Sequence, residues 1–157
     1  MFETVIVPLD GSQLSEAALP AAVGIADKFG SRLILIRAVE STSQRLVETP
    51  ALLDTPGVAA ANIELIEQVT KADREEAAKY LARIQARLIG KTVETLVVEG
   101  APAEAIADVA RERGASLVVM SSHGRGGLGR LVHGSVADGV LRQGSVPVLL
   151  MRPKGDS

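Results

Sequence analysis

Residues 117–135 read LVVMSSHGRGGLGRLVHGS. Leu117–Met120 is a short apolar, β-branched run of the kind that forms a buried strand, and the segment after Gly134 has the character of a helix start. Between Ser121 and Ser135 stand five glycines and two arginines. Strand, glycine-rich loop and helix thus follow one another. Glycines let backbone N–H groups approach an anion closely, and the first turn of a helix offers unpaired N–H groups at the positive end of its dipole. Ser135 adds a hydroxyl donor. Arg125 and Arg130 offer charge-assisted hydrogen bonds, against the plainer reading that exposed arginines are simply solvated. The composition is one for holding phosphate.

Two familiar phosphate motifs fail here. Gly124 and Gly129 have the spacing of a P-loop, but Arg130 stands where that motif needs lysine and Leu131 where it needs serine or threonine. Gly124, Gly126 and Gly129 satisfy GxGxxG literally, yet the pattern follows the fourth apolar run instead of opening a βαβ unit. The acidic residue expected about 20 positions on would fall within VPVLLM, which has no carboxylate.

Outward from this unit, Thr4–Leu9, Leu33–Val39, Val93–Val98 and Val146–Met151 read as further strands, giving five that alternate with four helices. The first helix is capped by Ser12 or Ser15 and stops at Gly30. The second, long one presents Ile66, Thr70, Asp73, Ala77, Tyr80, Ile84 and Leu88 at helical spacing, with Asp73 the polar exception and Gly90 the terminator. The third opens on Pro102, turns Ala105, Ile106, Val109 and Ala110 inward, and ends at Gly114. Such alternation predicts an α/β fold with a parallel sheet and right-handed crossovers. Residues 40–61, with Pro50, Pro56 and Gly57, read as a flexible excursion, either a lid over a site or a disordered surface loop.

A chain of 157 residues, 46% of them hydrophobic, suits one domain, 1–157, with one core. Its formal charge of −2, with both signs scattered, provides no footprint for nucleic acid or an anionic membrane, and one Tyr and two Phe leave little to stack on bases. Cysteine is absent, which removes disulfides and thiolate chemistry. The first residues carry Glu3 and Asp10, no basic stretch, and an apolar run too short for a signal peptide or membrane span, so a soluble cytoplasmic protein is expected. His123 and His133 lack the spacing of paired metal ligands. No carboxylate lies between Ser121 and Ser135 to orient a hydrolytic water, so no catalytic apparatus is expected.

One wider spacing does fit: Ser121, two residues, Gly124, nine residues, then Gly134 and Ser135. This resembles the universal stress protein family, whose nucleotide-binding members carry GxxG, nine residues, then G and Ser or Thr. VIVPLDGS, LILIRAVE, VVEGAPAEAIADVARERGASLVVM, GSVADGVL and VPVLLMR resemble the family in the same order, so only residues 41–61 fall outside the likeness. The resemblance implies a doubly wound, five-stranded parallel sheet of order 3-2-1-4-5, hence a crevice at the carboxyl ends of strands 1 and 4, where Asp10 and Ser121 sit.

The same resemblance implies the residue roles. Pro8, Leu9 and Asp10 match the first-strand end that meets the nucleoside, against the plainer reading that Asp10 opens an Asp-Gly turn. Ala38 matches a position whose backbone meets adenine. Met120 matches the base or ribose pocket, with core packing as its main role. Gly124, Gly134, Ser135 and Val136 match the phosphate-binding positions, and Ser121, His123 and Arg125 complete the candidate loop. The implied cofactor is ATP, with Mg or Mn accompanying its phosphates. Two residues depart from the family pattern. Ser121 replaces the first motif glycine, which costs roughly 1 kcal/mol if positive φ is needed, and Arg37 stands where relatives often have His.

Pro147 within the last apolar run marks an edge strand. A homodimer through Val146–Met151, burying Val146, Val148 and Leu150 on one side, follows from the resemblance to the family's usual dimer. The leading function is an ATP-binding stress or signalling module, non-catalytic or slowly hydrolysing. The alternatives are a homodimeric stress-response interaction protein without nucleotide, and a weak ATPase. Neither the stress nor the downstream protein partner is legible.

Overall fold

The structure is a computed structural model that describes residues 1–122, 134–144 and 146–153. Five strands, β1 (Thr4–Pro8), β2 (Arg32–Val39), β3 (Val93–Glu99), β4 (Leu117–Ser121) and β5 (Val148–Met151), form one sheet. Its order is β3-β2-β1-β4-β5 and every pairing is parallel. The centre of the sheet is fully enclosed: all five residues of β1, TVIVP, are buried, as expected for a strand covered on both faces.

Strand alternation divides the core in two. Val5, Val7, Leu33, Leu35, Leu117 and Val119 face one way, against Ala22 and Ala26 of α2 (Leu19–Phe29) and Tyr80, Leu81 and Ile84 of α4 (Pro56–Arg87). Ile6, Ile34, Ile36, Val118 and Met120 face the other, against Ile106 and Val109 of α5 (Pro102–Glu112) and Ala137 and Val140 of α6 (Ser135–Gln143). The chain after β1 therefore crosses to one face and the chain after β4 to the other. Between these two strands the winding reverses.

The helix count differs from the sequence expectation. A one-turn α1 (Gln13–Glu16) leads into α2, and the two form one helix broken at Ala17–Ala18; α3 (Thr42–Glu48) is additional, so the described residues carry five helices, not four. The supposed flexible excursion is helical. Ser41 caps α3 in a reciprocal box, its Oγ accepting from the Gln44 N–H at 3.2 Å while Gln44 Oε1 accepts from the Ser41 N–H at 2.8 Å. A 3-10 turn follows at Pro50–Leu53, and Pro56 then opens α4 at the first helical position.

At 32 residues α4 is about 48 Å long, and its buried side chains begin only at Ile66. Before that point Asn62 donates to the Leu52 carbonyl of the 3-10 turn at 2.8 Å, and α3 meets α4 further on, where the Thr42 hydroxyl donates to Thr70 Oγ1 at 3.3 Å. Asp73, the polar exception on the inward face, is paired with Arg45 of α3, which also reaches Glu40 at 3.5 Å. Pro147 lies just outside the last strand, which starts at Val148; its carbonyl accepts from the Val118 N–H at 2.9 Å. Among the described residues no helix is long and apolar enough to cross a membrane.

Candidate functional site

Where the winding reverses, the carboxyl ends of β1 and β4 open a cleft, as the topology requires. Its first wall is the turn after β1. Asp10 Oδ1 accepts from the Ser12 N–H at 2.8 Å and from the Ser12 hydroxyl at 2.5 Å. The Ser12 Oγ in turn accepts from the Ser15 N–H at 3.1 Å and so caps α1. Ser15 closes the ring, its hydroxyl donating to the Ser12 carbonyl at 2.9 Å and accepting from the Asp10 N–H at 3.3 Å. Asp10 thus both opens an Asp-Gly turn and lines the cleft; the two sequence readings are compatible.

The second wall comes from β2 and α5. Ile36 and Ala38 share a strand face, and Pro102 and Ile106 sit one turn apart at the start of α5. β4 contributes Met120 and Ser121, and the start of α6 contributes Gly134, Val136 and Ala137. Gly134 is the N-cap of α6, with extended ψ and no side chain of its own to cap the helix. The first-turn N–H groups of α6 therefore end at the cleft without intrahelical partners. The lining is mainly apolar, with Asp10, Ser15 and Ser121 as its polar side chains among the described residues.

Eight of the sequence-predicted residues come together here: Pro8, Leu9, Asp10, Ala38, Met120, Ser121, Gly134 and Val136. Met120 is buried in the α5–α6 half of the core as well, which accords with core packing as its main role. Ser135, the first residue of α6, is exposed and does not line the cleft. His123, Gly124 and Arg125 lie outside the described residues. The sequence reading missed Leu14, Ser15, Ile36, Pro102, Ile106 and Ala137. Period-two alternation from Ala38 back to Ile36 was the available signal for one of them. None of residues 40–61 lines the cleft.

Neither departure from the family pattern obstructs it. Ser121 ends β4 paired with Met151, and Phe2 is the one non-glycine residue with positive φ among the described residues, so serine meets no backbone penalty. Arg37 follows Leu33 and Leu35 onto the opposite face of β2 from Ala38. There its Cζ lies 5.1 Å from the centre of the Tyr80 ring. The Tyr80 hydroxyl donates to Glu16 at 3.1 Å. Burial, the Glu16 charge and this hydrogen bond push the Tyr80 phenol up to about 12.

A reversal-point cleft with a helix N-terminus at one wall defines a doubly wound class of α/β protein. The profile of the universal stress protein family matches residues 1–152, and the chain belongs to that family. It is 32% identical over 154 residues to universal stress protein YxiE of Bacillus subtilis, covering 97% of this chain and 100% of that one. It is 31% identical over 152 residues to universal stress protein MJ0531 of Methanocaldococcus jannaschii, covering 97% and 83%. Among solved structures, protein MJ0577 of Methanocaldococcus jannaschii superposes with a TM-score of 0.76 at 25% identity, covering 99% of each chain. A universal stress protein in complex with cAMP has a TM-score of 0.58 at 26% identity, covering 96% of this chain and 97% of that one.

Proposed function

We propose that this universal stress protein is an ATP-binding stress or signalling module, non-catalytic or slowly hydrolysing. The observation that carries the reading is the meeting of Asp10, Ala38 and Met120 with the start of α6 in one cleft. The apolar side chains Ile36, Ile106 and Met120 suit a base, and the first-turn N–H groups of α6, which have no intrahelical partners, suit phosphate oxygens. The relative solved with cAMP supports an adenine nucleotide. When bound, Mg or Mn would neutralise phosphate charge and come with the nucleotide. Asp10 and the backbone of Ala38 then hold the nucleoside, Met120 closes the base pocket, and Gly134, Ser135 and Val136 hold the phosphates. Gly124, Arg125, His123 and Ser121 supply the rest of the phosphate loop.

The test is calorimetric titration of Mg-ATP into nucleotide-stripped protein and into a Gly134→Asp variant, which sets a negative charge at the cap of α6. Saturable binding near one per chain, lost in the variant, is expected; no heat up to ~1 mM, equivalent to about 4 kcal/mol, would sink the reading. Turnover above the Gly134→Asp control would instead favour a weak ATPase. The proposed assembly is a homodimer through the edge strand β5, whose Val148 and Leu150 are only partly buried. Light scattering at micromolar concentration is expected to give twice the chain mass of 16.4 kDa.

A further inference from the structure

Arg37 does not line the cleft, yet it sits directly behind it. Its guanidinium lies close to Gly11: a Cβ built there would stand 3.2 Å from the Arg37 Cζ and Nη2 and 3.3 Å from Nη1. The Tyr80 ring is also a neighbour, its centre 5.1 Å from Cζ. Gly11 has φ +88°, a conformation that side chains rarely adopt, so the backbone calls for glycine there. The Tyr80 ring is itself held, through its hydroxyl to Glu16, and the other Glu16 oxygen accepts from Arg87 at 3.1 Å.

Gly11 is the middle residue of the turn in which Asp10 accepts from Ser12. Asp10 and Ser15 face the cleft from either side of it. We propose that Arg37 is a positioning residue for the nucleotide: lying close to both Gly11 and the Tyr80 ring, it clamps the Asp10–Gly11–Ser12 turn and with it the cleft face of Asp10 and Ser15. The proposal rests on the nucleotide-binding reading above.

A planar cation suits this position because a guanidinium can lie with its face over an aromatic ring, which a lysine ammonium cannot. Without the clamp, the glycine is free to carry the turn into other conformations. If the cleft-facing arrangement then holds in one molecule in ten, apparent affinity falls about tenfold. The loss is confined to the nucleoside end, since the phosphates are held at α6.

The experiment compares Mg-ATP with Mg-tripolyphosphate in calorimetric titrations of wild type, Arg37→Met, Arg37→Lys and Tyr80→Leu, with amide exchange at Ser12 followed in the ligand-free proteins. Arg37→Met is expected to weaken ATP about tenfold, leave tripolyphosphate unchanged and speed exchange at Ser12 but not at Ile6. Arg37→Lys and Tyr80→Leu follow the same pattern, and Arg37→Lys carries the test if Arg37→Met does not fold. Wild-type ATP affinity in a folded Arg37 variant overturns the proposal alone, as does a parallel loss of both ligands. Wild-type protein that binds no ATP overturns the nucleotide reading and the proposal together.

Discussion

Gly139 of α6 lies so close to Ala103 of α5 that a methyl group built on its Cα would overlap the Ala103 side chain. The contact is tight because both residues are small, and it draws together the two helices that contribute Pro102, Ile106, Val136 and Ala137 to the cleft. A glycine inside a helix costs about 1 kcal/mol against alanine. Here that cost secures the approach of α5 to α6.

Gly139→Ala is therefore expected to destabilise the protein by about 1–3 kcal/mol, the usual range for overpacking, despite its better helix propensity. Adding Ala103→Gly reopens the space. Urea unfolding of the two single variants and the double should show a favourable coupling; strict additivity would remove the contact as the cause.

Tyr80 sets a pH dependence at the alkaline end. Its phenol lies above the ordinary 10.0, at about 12, through burial and Glu16. Below pH 10 both folded and unfolded chains keep the proton, so the contribution is constant. Between 10 and 12 the unfolded chain loses it first, and stability falls as pH rises. Unfolding midpoints from pH 9 to 11.5 should drop more steeply in wild type than in Tyr80→Phe; parallel curves would refute the assignment.

Ser121→Gly restores the family's motif residue but is expected to bring no relief. Ser121 is an extended strand residue, so glycine there costs about 0.5–1 kcal/mol of stability through added backbone freedom. A raised denaturation midpoint in the variant would show that the serine is strained.

The capping box of α3 carries a fourth expectation. Ser41→Ala removes the acceptor for the Gln44 N–H and should cost about 0.5–2 kcal/mol. Amide exchange should quicken over residues 42–48 first, because that helix has no buried residue of its own. Uniform acceleration across the chain would contradict a local role.

Much of this architecture was legible because it depends on local pattern. The β-branched runs of β1 and β2 and the helix opened by Pro102 are each declared within a few residues. α3 was legible too, in Ser41 and Gln44, but Pro50, Pro56 and Gly57 outweighed that signal, although two of the three merely open the 3-10 turn and α4. The cleft was half legible. Residues at strand ends follow from topology, whereas Leu14, Ser15, Pro102 and Ile106 reach it only through how helices settle on the sheet. Arg37 illustrates the limit: the sequence left open whether its side chain crowds the cleft or points to solvent, because its neighbours Gly11 and Tyr80 lie far from it in sequence.

Thr4 and Ser116 clasp the beginning of β1 to the beginning of β4. The Thr4 N–H donates to Ser116 Oγ at 3.2 Å, and the Thr4 carbonyl accepts from the Ser116 N–H and hydroxyl, each at 2.9 Å. These bonds span 112 positions. During synthesis from the N-terminus, the fully buried strand β1 therefore emerges long before one of its two neighbours exists. Until then it presents an unpaired edge, the kind of surface that recruits foreign strands. The cleft is consequently among the last features to be completed, and a nascent chain halted before β4 would be a client for chaperones instead of a partial binding protein.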